Sequence, residues 1–296
     1  MKSKQLNKPK IRKRYGVGEL FGLAVAALTP EELRKYSASG FKAACPHKAS
    51  GGNCHKKGGV CSLIPLEEHD GEVRVVGLPI ATCPTRFLEK DRVMEWVGET
   101  ILGMPNPQVV SEVSFLMGKE HQESEPEDEV GRIDKVLVNL SDSEMKWCAL
   151  EMQAVYFSGM KMEHDFALMR EWEGPGIPFP TKVRRPDFRS SGPKRLMPQL
   201  QIKVPTLRRW CKKMAVVVDK AFAESLWPMR KAGHISNADI VWFVVTYGEV
   251  DDGVYQLRKH EILMTTLEDA VEGLTGGVPV TLDEFESSIH DKLSRQ

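Results

Sequence analysis

The chain has 296 residues, 41% of them hydrophobic, enough apolar surface for one substantial core plus a small accessory unit, which excludes a wholly disordered polypeptide. No run long and apolar enough to span a bilayer occurs, and the start, MKSKQLNKPKIRKR, lacks the apolar stretch of a secretory signal, so a soluble, intracellular protein with no membrane partner is expected. The 41 basic residues balance 41 acidic ones, which excludes a crude polycation coating nucleic acid; the charges are nonetheless clustered, with seven Lys or Arg and no acid in the first fourteen residues.

That basic start reads as a solvated end. The first predicted helix begins at Thr29-Pro30-Glu31-Glu32, where Thr29 caps, Pro30 occupies the first turn and Glu32 completes a capping box. The segment FKAACPHKASGGNCHKKGGVC, from Phe41 to Cys61, has no helical or strand period and cannot bury a conventional core. A strand is expected over GEVRVVGLPIAT, from Gly71 to Thr82, then a helix with Val93, Trp96, Val97 and Ile101 on one face. VVSEVSFLM, from Val109 to Met117, is apolar except for Ser111, Glu112 and Ser114, and the acidic run HQESEPEDEV follows.

Two strand-like runs come next. In VGRIDKVLVNL, Asp134 shares a face with Val136, Val138 and Leu140; the second run is WCALEMQAVYF, from Trp147 to Phe157. The Pro- and Gly-rich stretch EWEGPGIPFPTKVRRPDFRSSGPKR reads as a long functional loop, and Pro205-Thr206 as a helix start leading into MAVVVDKAF. ADIVWFVVTYGEV and GVYQLRKHEILMT follow as strand-forming runs, and a last helix opens with the capping box Thr281 to Glu284.

Cys45, Cys54, Cys61 and Cys83 fall within about forty residues, three of them in the segment that lacks other means of cohesion. Intracellular disulfides are disfavoured, so four clustered thiols point to a closed tetrahedral metal site that selects zinc or iron and serves structure. His47 and His55 are potential replacements for one thiol. Cys148 and Cys211 are isolated in apolar surroundings and are expected to fill core.

The catalytic candidates are Asp134 and, on a neighbouring strand, Glu151-Met152-Gln153. Strand alternation sends Glu151 and Gln153 to one side and Met152 to the core. Paired carboxylates hold Mg²⁺ for phosphodiester hydrolysis. The third residue of such a set is usually a Lys that contacts the attacking water and the scissile phosphate; here it is Gln153, which brings no charge. Glu112 is an additional carboxylate, or else the partner of a nearby Arg. A rival set, Pro186-Asp187 with Gln201-Ile202-Lys203 as its lysine half, leaves one carboxylate in a basic stretch and is the weaker choice. From Lys182 to Lys213 eleven Lys or Arg stand against one acid, Asp187. In that block Arg184, Arg185, Arg189, Lys194, Arg195, Gln199 and Gln201 are the candidates for contacting base edges and phosphates of double-stranded DNA.

Together the ordered segments CP…GGNC, VCSL, TCPTRF, SEVSFL, RIDKVLV, LEMQAVYFSG and RRPDFRSSGPKRLMPQLQIKVPTLRRW resemble the NotI restriction endonuclease family, with a length nearer its shorter, EagI-like members. The resemblance implies an α/β PD-(D/E)xK core, a central mixed sheet flanked by helices, over residues 89–296. An N-terminal segment with a small four-cysteine metal domain would occupy residues 1–88. It further implies a prokaryotic, cytoplasmic type II enzyme of a restriction-modification system, a homodimer that cuts both strands of a GC-rich palindrome with Mg²⁺. Carried over by position, Glu112, Asp134, Glu151 and Gln153 form the active site, Asp134 and Glu151 holding Mg²⁺, and Cys45, Cys54, Cys61 and Cys83 hold structural iron or zinc. The alternatives are a non-catalytic four-cysteine DNA-binding regulator and a structure-selective repair nuclease.

Overall fold

The structure is a computed structural model that describes residues 11–48, 51–117, 129–141, 144–276 and 280–295. Most of the basic start and nearly all of the acidic run between Met117 and Glu129 lie outside the described residues.

In chain order the elements are strand β1 (Arg12–Leu20), β2 (Leu23–Ala24), helix α1 (Pro30–Tyr36), β3 (Val60–His69), β4 (Glu72–Val75), β5 (Ile80–Ala81) and α2 (Arg92–Val97). Then come β6 (Gln108–Met117), β7 (Glu129–Asn139), β8 (Lys146–Met152), β9 (Phe157–Gly159), α3 (Glu163–Glu171), β10 (Arg184–Pro186), α4 (Phe188–Ser191) and α5 (Met197–Arg209). The chain closes with β11 (Met214–Asp219), α6 (Lys220–Ser225), β12 (Ile240–Asp251), β13 (Val254–Thr265), α7 (Leu267–Thr275) and α8 (Leu282–Leu293).

The first five strands form an antiparallel sheet, and β6 to β8 with β11 to β13 form a six-stranded mixed sheet in the order β13-β12-β11-β8-β7-β6. Neighbours β8–β11 and β11–β12 pair in parallel, and β6–β7, β7–β8 and β12–β13 pair antiparallel. Alternation along these strands divides the buried side chains between two faces. Leu137, Cys148, Leu150, Val217 and Phe243 pack with α2 and the N-terminal sheet, whereas Val136, Ala149, Val216 and Trp242 pack with α5, α6 and α7. A mixed central sheet flanked by helices is therefore the observed architecture. The expected division at residues 88 and 89 falls in the turn-rich stretch Pro84–Asp91, and the segments on either side share one hydrophobic cluster.

Arg86, fully buried, ties the two sheets. Its Nε donates to Glu19 on β1 at 2.9 Å, another nitrogen pairs with Glu89, and Nη2 donates to the Tyr255 carbonyl of β13 at 2.5 Å. A buried charge held this way is costly to unpair, on the order of 3–5 kcal/mol.

Several local expectations change. Part of the basic start is not a loose end: Arg12 and Lys13 belong to β1 and pair with Glu68 and Glu67 on β3. The strand expected from Gly71 to Thr82 is two short ones, β4 and β5, with residues 76–79 outside any ladder. The long loop after Trp172 holds β10 and α4 and runs into α5, which begins at Met197 and passes straight through Pro205. A proline inside a helix costs about 3 kcal/mol. Burying Leu200, Val204 and Leu207 offsets it, at roughly 1.5–3 kcal/mol each. MAVVVD, after that helix, is the central strand β11, buried along its whole length. Both capping boxes are present.

Candidate active site

Strand register sets the carboxylates. Lys135 pairs with Leu150 across β7 and β8, so Asp134 and Glu151 stand opposite one another at the next step of the ladder. On the other side of β7, Glu112 lies between the pairs Ser111–Lys135 and Val113–Ile133, across from Asp134. Three carboxylate residues thus form a cross-strand row on neighbouring strands spaced about 4.8 Å apart.

Their surroundings differ. Glu151 is 3% exposed and faces α5, where Lys203, itself 6% exposed, donates from Nζ to Glu151 Oε2 at 2.8 Å. The same ammonium donates to Gln199 Oε1 at 2.9 Å. Burial pushes the Glu151 carboxyl up to about 7; Lys203 pulls it back and Asp134, within hydrogen-bonding reach, pushes it up further. Asp134 is exposed at the mouth of this pair. Glu112 has φ +55° and an exposed side chain directed to Arg132 at 3.6 Å, the arginine partnership that was its alternative reading.

Gln153 lies just past the end of β8. Its backbone N–H still bonds the Val217 carbonyl at 2.9 Å, and its side-chain amide donates to the Ala154 carbonyl. It lines a cleft of about 480 Å³ together with Lys56, Lys57, Lys161, Arg184 and Arg195, so lysines of the cysteine segment share a wall with the strand end. Arg195 lies over the Tyr156 ring at 4.8 Å in the same cleft.

Of the other basic-block residues, Arg185, Arg189, Lys194, Arg195 and Gln201 are exposed and Gln199 is half-buried against Lys203. Arg184 is placed differently. It is 4% exposed, donates to the Met160 and Lys161 carbonyls at 2.8 and 3.0 Å and pairs with Asp165, which leaves only Nη1 without a partner. Its guanidinium holds the β9–β10 hairpin to α3. The rival acid, Asp187, caps α4: its carboxylate accepts from the Ser190 N–H at 2.9 Å and the Ser190 hydroxyl at 2.8 Å, so its oxygens are already used.

Lys203 had a place in the sequence reading only as the lysine of that rival set. The signal for it was available: with Leu200, Val204 and Leu207 it lies on one helical stripe, and a lysine on an apolar stripe requires a buried partner.

The cysteine segment is built on different terms. Phe41 packs edge-on against Phe21 at 5.3 Å and Tyr36 at 5.4 Å, anchoring the start of the segment. At its end Gly58 and Gly59 both have φ +67°, and a Cβ on them would stand 2.1 Å from Phe166 and 2.5 Å from Phe21. Between these anchors, Cys45 N–H bonds the Gly52 carbonyl at 2.9 Å and Cys54 N–H the Ala43 carbonyl at 3.0 Å. Cys45 and Cys83 are close enough to Cys54 to push its thiol upward after burial, and Cys83 acts on Cys61 likewise. All four are free cysteines. Burial, with Arg86 nearby, lowers His47 to about 4, so its imidazole is neutral, and its Nε2 is buried without a partner. Among the described residues, no three His, Cys, Asp or Glu side chains are already gathered closely enough to hold a metal ion. Of the two remaining cysteines, Cys148 is core as expected; Cys211 is exposed, in a left-handed turn where α5 ends.

A mixed sheet that opposes carboxylates on two inner strands, one of which leads at its end into a basic cleft, has the equipment of an enzyme acting on a phosphate ester. Comparison with protein families identifies it further: the model of the restriction endonuclease NotI family matches residues 32–257, and the chain belongs to that family. It is accordingly a nuclease, and its substrate is DNA. No curated protein matches the chain. Among the described residues no helix is long and apolar enough to cross a membrane.

Proposed function

We propose that this chain is a type II restriction endonuclease that makes double-strand cuts at a GC-rich palindrome by Mg²⁺-dependent hydrolysis. The observation that carries this reading is the opposition of Asp134 and Glu151 on β7 and β8. Two facing carboxylates are a hard-oxygen donor set suited to Mg²⁺, and that ion, when bound, supplies neutralisation of the phosphoryl oxygens and a nucleophilic hydroxide. Gln153 orients water at the strand end. Glu112 is the third carboxylate of the row and turns inward from Arg132 when the site is complete. Arg185, Arg189, Lys194, Arg195, Gln199 and Gln201 contact the DNA, with Arg184 holding the hairpin beneath them. On this reading the protein works in the cytoplasm of a prokaryote.

Cys45, Cys54, Cys61 and Cys83 are of the right chemistry for a thiophilic structural ion, iron or zinc, with His47 and His55 the candidate substitute ligands. A palindromic site calls for a two-fold symmetric dimer. Helix α8 supports that: Leu282, Phe285, Ile289 and Leu293 form an exposed apolar stripe. Acids Asp283, Glu284 and Glu286 stand toward its start and Lys292 and Arg295 toward its end, with Asp291 the exception, a pattern that favours antiparallel pairing with a second copy.

The test is incubation of the purified protein with plasmid DNA and Mg²⁺. Discrete fragments are expected, and Glu151→Ala should retain the same DNA without cutting it. Intact plasmid across a range of divalent metals would exclude the nuclease reading for this chain.

A further inference from the structure

The charge missing at Gln153 is present on another element that meets the same strand. Lys203 enters from α5, on the opposite layer from the strand motif, and its ammonium is buried against Glu151 at 2.8 Å and Gln199 at 2.9 Å. An ammonium has three N–H donors. Two are used by these contacts, and both acceptors are side-chain oxygens, not the backbone carbonyls of a helix end.

We infer that Lys203 is the active-site cation of this nuclease, a positioning residue that holds Glu151 in place across from Asp134 and keeps its third N–H for an oxygen of the reacting phosphate. The inference rests on the proposed function and names the group that does the work usually assigned to a lysine two residues after the strand carboxylate. Three observations support it. Lysine burial to 6% is costly without a functional or structural partner, and its partner here is the one residue of the row that is buried as well. Gln199, one helical turn earlier, accepts from the same ammonium and fixes its rotamer, so the cation is pre-set and does not have to be recruited. Pro205, two residues on, restricts the helix at the point where the side chain leaves it. In the reaction Lys203 donates hydrogen bonds only and transfers nothing. The water oxygen forms the new P–O bond, the ester P–O bond breaks, the water's proton passes to solvent and the departing oxygen takes one up.

Single-turnover cleavage of a plasmid that the wild-type protein cuts, at saturating protein and Mg²⁺, tests this with three variants: Lys203→Met, Lys203→Gln and Gln153→Lys combined with Lys203→Met. Lys203→Met should retain DNA in the absence of Mg²⁺ yet cut it roughly a hundredfold or more slowly. Lys203→Gln keeps an N–H donor for Glu151 without a buried charge, so it folds even where the methionine variant does not, and the same loss of rate is expected. Gln153→Lys returns a cation to the strand position and should recover at least about tenfold of the loss, which repair of helix packing alone would not do. Cleavage by Lys203→Gln within about threefold of wild type, or a double variant that folds and cuts no faster than Lys203→Met, would overturn the role of Lys203 while leaving the nuclease intact. A wild-type protein that cuts no plasmid would instead overturn the nuclease reading and the inference with it.

Discussion

The carboxylate row and the cysteine segment reach their geometry by opposite routes. Asp134 and Glu151 are placed by the ladder of β7 and β8, and the strand behind them, β11, is buried along its whole length. That placement needs no ligand, and burial, offset in part by the Lys203 ammonium, pushes the Glu151 carboxyl up to about 7. The segment from Phe41 to Cys61 has aromatic anchors at its two ends and a few backbone bonds between them, and among its described residues no apolar cluster of its own. On the proposed function, one region uses a metal for chemistry and the other for cohesion.

The largest expected effect follows for the row. Glu151→Gln should lower single-turnover cleavage by roughly a thousandfold or more while the melting temperature moves little, since it leaves the ladder intact and keeps an oxygen to accept from the Lys203 ammonium. A fall in rate that tracks a fall in folded protein would erase the contrast. For the cysteine segment the balance reverses. Cys61→Ser should cost on the order of 3 kcal/mol, a drop in Tm of about 5–10 °C, together with loss of bound iron or zinc by elemental analysis. A metal-free wild type that melts within a degree of the metal-loaded protein would mean that the aromatic anchors suffice.

Asp219 sharpens the comparison where the two sheets meet. It accepts the Ala81 N–H of β5 at 2.7 Å and the Phe222 N–H of α6 at 2.8 Å, and burial pushes its carboxyl up to about 6. A carboxyl raised in the folded state stabilises most when it is protonated in both states, below about 4, and that contribution is lost as pH rises through about 6. Relative to Asp219→Asn, the wild type should accordingly lose on the order of 1–3 kcal/mol between pH 4 and pH 6 and nothing more above it, measured by denaturant titration. A constant difference across that window would show that Asp219 keeps its charge throughout. The smallest effect belongs to Asp187→Ala: loss of a helix cap, about 1 kcal/mol, with cleavage within roughly threefold of wild type. If cleavage vanished instead, the literal Pro186-Asp187 pair would be the metal acid.

What was legible in the sequence is what depends on neighbours in the chain. Period-two alternation placed Asp134 with Val136 and Val138, and turned Glu151 away from Met152. The capping boxes at Thr29 and Thr281 announced two helices. What was not legible depends on distant partners. Pro205 obeyed its local rule as a helix start until the stripe of Leu200, Val204 and Leu207 overrode it. Once α5 is continuous, Lys203 turns toward Glu151, fifty-two positions earlier, a pairing that no local spacing encodes. Arg184 read as a DNA contact because it stands among basic residues; its burial depends on Asp165 and the Met160 and Lys161 carbonyls, 19 or more positions earlier and brought to it only by the fold.

The most direct measurement of the central claim is to digest a sequenced genome with the purified protein and Mg²⁺ and map every cut end. The account predicts ends that converge on a single GC-rich palindrome, at symmetric positions on the two strands, and none with Glu151→Ala. Ends scattered over unrelated sequences, or gathered at branched or damaged DNA, would contradict it.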